Sequence, residues 1–178
     1  MDNRVRNYKQ NNEYEQAESH YKEALEMKRH MYGADAKNTD VASTLHSLGL
    51  LYYDCQKYDQ AESHYKEALE MKRHVYGADA KNTDVASTLH NLGVLYKSRQ
   101  KYDEAESHYE QALEMYRHVY GADAKNTDVA RTLHSLGVLY YDRHEYDQAE
   151  SHYKEALEMK RHVYGADAKN TDVARTLH

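Results

Sequence analysis

An all-α fold built from stacked helix pairs is predicted by three features of this 178-residue sequence. The string Ala-Glu-Ser-His-Tyr recurs at Ala17, Ala61, Ala105 and Ala149, a period of 44 residues. Apolar residues inside each period follow helical spacing. The glycines and most of the tyrosines return at fixed repeat positions. A period in this range marks units that cannot bury an apolar face alone and must stack on their neighbours. Three full units can be cut, 40–83, 84–127 and 128–171. They are preceded by a shortened repeat over 1–39 and followed by the start of another over 172–178.

The helices follow in order within one unit. Val41, Leu45, Leu48 and Tyr52 recur at i, i+4, i+7 and i+11, which places a first helix, A, from about Thr39–Asp40 to Cys55. Ala61, Tyr65, Ala68 and Leu69 continue the pattern in a second helix, B, that runs to Tyr76. Asp59-Gln-Ala-Glu62 has the spacing of a capping box, with Tyr58 placed to staple the entry. Gly77 stands where a left-handed residue would end helix B. Asp79–Asn82 reads as a short polar connector. Gly49, Gly93 and Gly137 fall inside helix A, where a glycine costs about 1 kcal/mol against alanine. Their return in every full unit predicts a close helix–helix contact. In the shortened first repeat, Arg4, Val5 and Arg6 stand in place of Leu48, Gly49 and Leu50. It reads as a cap-like short helix A followed by helix B.

Composition fills in the core and excludes some functions. Ile, Phe, Trp and Pro are absent, so Leu, Ala and 19 Tyr must supply the apolar interior. The net charge of −6 argues against bulk attraction to nucleic acid or an anionic membrane. No apolar run has transmembrane length. A lone Cys55 excludes an internal disulfide framework and, with no apolar leader in the first ten residues, suits a cytoplasmic location. All seven glycines are accounted for by repeat position, which leaves none for a phosphate loop. No nucleophile–base set is singled out from the repeat, so no enzyme is expected.

Leu48-Gly49-x-x-Tyr52 followed by Ala61-x-x-x-Tyr65-x-x-Ala68 resembles the tetratricopeptide signature. The wording of each unit is most similar to the longer repeats of kinesin light chain. The period is nevertheless 44 rather than 34 residues, no Pro punctuates the helices, and Leu45 stands where shorter repeats often carry Trp. The resemblance implies a right-handed superhelix of antiparallel pairs, with helix A lining a concave groove that receives a protein or peptide. On helix A, Ser43, His46, Ser47, Leu50, Tyr53 and Asp54 lie opposite the Leu45–Leu48–Tyr52 stripe and would face that groove. Their counterparts are Ser87, His90, Asn91, Val94, Lys97 and Ser98 in the second unit. In the third they are Arg131, His134, Ser135, Val138, Tyr141 and Asp142. The Leu50/Val94/Val138 row supplies anchors, and His, Tyr, Lys97 and Arg131 supply orientation. Kinesin light chains carry an Asn pair at this part of helix A. Only Asn91 matches it here, so the same cargo preference is not implied.

The His46/His90/His134 row is not a metal site. Ligands must converge within about 2.1 Å of a metal, whereas equivalent residues on neighbouring helices stand about 10 Å apart. No cofactor is expected. Thirteen histidines make pH the one lever on association between pH 7 and 5.5. Glu62, Lys66, Glu67, Glu70, Lys72 and Arg73 read as the solvated face of helix B. Asp172–His178 repeats the start of helix A and leaves Val173 and Leu177 to seek a partner. The chain therefore reads as a stretch of a longer array, excised or designed, or as one that stacks end to end into a homo-oligomer, a structural alternative to groove binding.

Overall fold

The computed structural model describes residues 2–33, 37–78, 80–121 and 126–164, with side chains from Glu13 to Val163. Seven helices account for these residues: α1 (Asp2–Tyr32), α2 (Thr39–Asp54), α3 (Tyr58–Tyr76), α4 (Thr83–Ser98), α5 (Tyr102–Tyr120), α6 (Thr127–Asp142) and α7 (Tyr146–Tyr164). They fall into two compact units, Met1–Ala80 and Lys81–His178. The fold class is all-α, a solenoid of helix hairpins: α2 pairs with α3, α4 with α5 and α6 with α7.

Each helix A begins on an asparagine. Asn38, Asn82 and Asn126 accept the amides of Asp40, Asp84 and Asp128, each at 2.7 Å. This N-cap satisfies one of the unpaired first-turn donors, and the aspartates sit well against the positive helix end. The connector Asp79–Asn82 therefore ends in a capping residue, a role its polar composition alone did not reveal.

The turn from helix A to helix B uses no glycine. Gln56, Gln100 and His144 take left-handed conformations at φ 58°, 59° and 63°. Around Gln56 its own amide reaches Tyr53 O at 2.9 Å and the Lys57 amide reaches Tyr52 O at 2.8 Å. These are the two hydrogen bonds of a Schellman closure. Asp59 is not the N-cap that a capping box at Asp59–Glu62 requires, because it lies inside the helix. Helix α3 starts one residue earlier, at Tyr58, on Lys57, which makes no side-chain capping bond. The tight closure of α2 delivers the chain directly into the next helix. Gly77 does carry a positive φ of 100°, but its ψ of 142° lies outside the left-handed helical basin. It extends the chain instead of curling it, a conformation open essentially to glycine alone.

Inside each hairpin the mid-helix glycine does what its recurrence predicts. A Cβ on Gly49 would lie 2.5 Å from Tyr65 Cδ1, and one on Gly93 2.6 Å from Tyr109 Cδ1. The tyrosine ring lies directly on glycine backbone. Around this contact Leu45, Leu48, Tyr52, Ala61 and Ala68 are buried in the first unit, with Leu89, Leu92, Ala105 and Ala112 at the matching positions of the second.

Two expectations are corrected here. The first repeat has no separate short helix A, because α1 runs unbroken through Asn12-Glu13-Tyr14, where the other repeats turn. Arg4, Val5 and Arg6 give its first turns no apolar stripe to fold back with, so helix propagation carries on. Lys72 is also not on a solvated face but buried. At the same repeat position, Lys28 of α1 sends its ammonium to Asp40 O at 3.2 Å and Thr44 Oγ1 at 2.8 Å on α2. In α1 this position faces α2, and a lysine there covers apolar surface with its stem. Tyr116 fills it in the second unit. Gly165, Val173 and Leu177 lie outside the described residues.

Candidate functional site

The side of helix A turned away from its hairpin partner is where the sequence places the interaction residues. On α2, Ser43, Leu50 and Asp54 are exposed, Leu50 at 40%, while His46, Ser47 and Tyr53 are half-buried. Tyr53 leans on Tyr58 of α3 with ring centroids 5.8 Å apart. In the second unit, Ser87, Asn91, Val94 and Lys97 of α4 are half-buried and Ser98 is exposed. On α6, Arg131, Tyr141 and Asp142 are exposed, Tyr141 at 57%, and His134, Ser135 and Val138 are half-buried. Because α4 and α6 touch, their residues form one strip.

The histidines do not form a row at the surface. His90 is buried, with Nδ1 3.1 Å from Thr132 Oγ1 on α6. The Thr132 hydroxyl donates to Asp128 O at 2.8 Å, which leaves the imidazole as the Nδ1 donor. Burial, and secondarily the Arg131 charge, pushes this imidazole down to about 3. His90 therefore ties one helix A to the next as a neutral group and is withdrawn from the binding set. His46, His90 and His134 each pack on the tyrosine of their own helix B: Tyr65 at 5.5 Å, and Tyr109 and Tyr153 at 5.4 Å. Single-helix periodicity puts these histidines opposite the core stripe but gives no account of α6 closing over His90.

Other predicted contacts are already engaged within the molecule. Ser43, Ser47 and Ser135 donate to the carbonyls of Thr39, Ser43 and Arg131 one turn back. Lys97 pairs with Asp142 at 2.9 Å, and Arg131 with Asp128 at 3.1 Å. The polar groups thus largely cancel, leaving apolar and aromatic surface as the distinctive feature. The structure adds a residue that sequence reading assigned to a staple. Tyr146, 56% exposed, stands beside Tyr141 at 5.6 Å and bonds His144 Nδ1 through its hydroxyl at 2.9 Å. Its signal in the sequence was the tyrosine recurring six residues after Tyr52, at Tyr58. Among the described residues, no three His, Cys, Asp or Glu side chains come together as metal ligands. None of the described helices is long and apolar enough to cross a membrane.

Helix hairpins of one repeated length, tied by a glycine–tyrosine contact and presenting one face of helix A, define a repeat-scaffold protein. Tetratricopeptide-repeat models match residues 1–35, 40–118, 84–162 and 128–177, so the chain belongs to the tetratricopeptide repeat family. BtubC (BKLC) from P. vanneervenii superposes with a TM-score of 0.80 at 25% identity. The match covers 94% of this chain and 64% of that one, so the chain spans under two thirds of that protein's length. The nearly identical TPR-like repeats of a P. anserina kinesin light chain match with a TM-score of 0.64 at 15% identity, over 96% of this chain and 77% of that one. The N-terminal domain of stress-induced protein-1 from C. elegans matches at 0.56 and 19% identity, over 78% and 93%. At these lower identities the likeness is one of fold. No curated protein matches the sequence.

Proposed function

We propose that this repeat scaffold holds a peptide or partner segment along the free side of its helices A. The observation that carries this reading is apolar surface the hairpins do not use: Leu50 at 40% exposure on α2, and Tyr141 at 57% beside half-buried Val138 and Val94 in the second unit. Aliphatic and aromatic side chains grouped on a surface mark partner sites more reliably than single exposed leucines do. In the second unit Val94 and Val138 serve as anchors and Tyr141 contributes area with little rotamer entropy to lose; in the first, Leu50 and Tyr53 play these parts. The Lys97–Asp142 pair is neutral as a unit and sets orientation only weakly.

Peptides selected from a random display library against the wild-type chain supply the probe. A variant carrying Leu50→Asp, Val138→Asp and Tyr141→Ala is expected to bind them at least tenfold more weakly, with an unchanged helical melting curve. Equal binding by wild type and variant would overturn the assignment to this face.

A further inference from the structure

The first unit carries a hollow where the second carries an arginine side chain. Arg143, in the turn after α6, lays its guanidinium 2.5 Å from Glu106 and 3.6 Å from Asp103 of α5, and 2.7 Å from Glu145. Two repeats earlier, the counterparts of Asp103 and Glu106 are Glu15 and Glu18 of α1, and the counterpart of Arg143 is Cys55. The two carboxylates are kept and the guanidinium is gone. In its place Glu15, Glu18, Asp54, Cys55 and Lys57 border a hollow of about 440 Å³. A short side chain at Cys55, well inside the sequence, is what opens it.

We propose that this hollow binds a guanidinium group brought from outside the chain, on free arginine or on an arginine side chain of a partner. Glu18 is prepared for it as Glu106 is. Tyr52 donates its hydroxyl to one carboxylate oxygen of Glu18 at 2.9 Å, as Tyr140 does to Glu106. On the second oxygen Glu106 receives Arg143, whereas Glu18 has Lys57 at 3.5 Å. That lysine is seated elsewhere: its ammonium lies 5.6 Å over the Tyr52 ring, just as Lys101 lies 5.7 Å over Tyr96. Lys22 joins Tyr52 on the first oxygen at 2.6 Å and holds the Glu18 carboxyl below its ordinary range, so it is ionised at neutral pH. Burial pushes the Cys55 thiol up, which keeps it neutral beside the carboxylates. A planar guanidinium spans two carboxylates through separate N–H groups, as Arg143 does, while an ammonium meets them as a single point. Of the residues expected to face the groove only Asp54 borders this hollow, and none of the apolar anchors does, so the inference stands apart from peptide capture on helix A.

Amide chemical shifts of the isotope-labelled full chain, titrated with free L-arginine, with a capped Gly-Arg-Gly peptide and with its Gly-Lys-Gly analogue, test this. At low salt the preferred arginine ligand is expected to shift the Cys55, Gln56 and Lys57 amides saturably with a Kd on the order of 1 mM. The lysine peptide should bind about threefold or more weakly. Tighter binding of free arginine assigns the hollow to the small molecule, and equal or tighter binding of the peptide assigns it to an arginine within a polypeptide. Cys55→Arg rebuilds the arrangement of the second unit and is expected to abolish the shifts. The chain tolerates arginine at this repeat position, at Arg99 and Arg143. Lys57→Glu supplies the counterpart of Glu145 and is expected to tighten binding severalfold, while Glu18→Gln weakens it severalfold. A Kd above about 20 mM for both arginine ligands, equal binding of the lysine peptide, or indifference to both Cys55→Arg and Lys57→Glu would overturn the proposal.

Discussion

Hairpins α4–α5 and α6–α7 are nearly the same sequence folded the same way, and they differ in how deeply matching side chains are buried. In both, a glycine of helix A takes a tyrosine ring on its backbone, with Cβ-to-ring approaches of 2.6 Å at Gly93 and 2.7 Å at Gly137. In both, a histidine packs on that tyrosine at 5.4 Å. Yet Tyr109 and His90 are buried, while Tyr153 and His134 are half-buried. Local pairing is therefore written inside each unit, whereas complete burial is supplied by the helix that follows. This is the nearest-neighbour energetics of a repeat array seen at the level of single side chains.

The largest test of that separation is Tyr109→Ala against Tyr153→Ala. Truncating a fully buried aromatic costs about 4 kcal/mol. The first variant should lose that much in urea titrations and the second about half, because less packing surrounds it. Equal losses would mean that the hairpin alone determines the energy.

The second test is pH. His90 is held well below its ordinary value in the folded chain, so below pH 6.5 the unfolded chain binds a proton that the folded chain refuses. Stability is therefore complete above about pH 6.5 and falls as pH drops toward about 3. At pH 5 the loss from this one group is about 2 kcal/mol. Burial also holds His64 and His152, stacked on Tyr52 and Tyr140, below the usual imidazole range, and they add to the same slope. His90→Gln should flatten the acid limb of a pH–stability curve, and an unchanged acid limb would show that the buried imidazole does not set it.

The smallest expected effect is at the turns. Gln100→Gly and His144→Gly relieve a left-handed residue in both hairpins, and each should stabilise by about 0.5–1 kcal/mol in thermal denaturation. The gain at His144 should be the smaller, because glycine there also removes the hydrogen bond to Tyr146 at 2.9 Å.

What the sequence made legible divides along the same line. Helix spans, the glycine contact and the stacked-pair class could be read because each depends on spacing within a unit, and 44-residue repetition displays that spacing several times over. The burial of His90 could not, because helical periodicity identifies a face without saying that α6 covers it. The left-handed turn at Gln56, Gln100 and His144 was hidden by the absence of the glycine that usually announces one. The unbroken α1 depended on missing apolar residues, whose consequence was continuation rather than a second helix. Of the candidate interaction residues, Leu50 and Tyr141 keep the exposure that the helical wheel assigned them, and His90 does not.

The glycine–tyrosine seat also bears on motion. A ring pressed on bare backbone, with its Cδ1 and Cε1 edge where a methyl group would otherwise be, cannot turn over in place. For Tyr65 or Tyr109 to rotate by half a revolution the two helices must first part, so the rate of that rotation is a clock for the momentary opening of each hairpin.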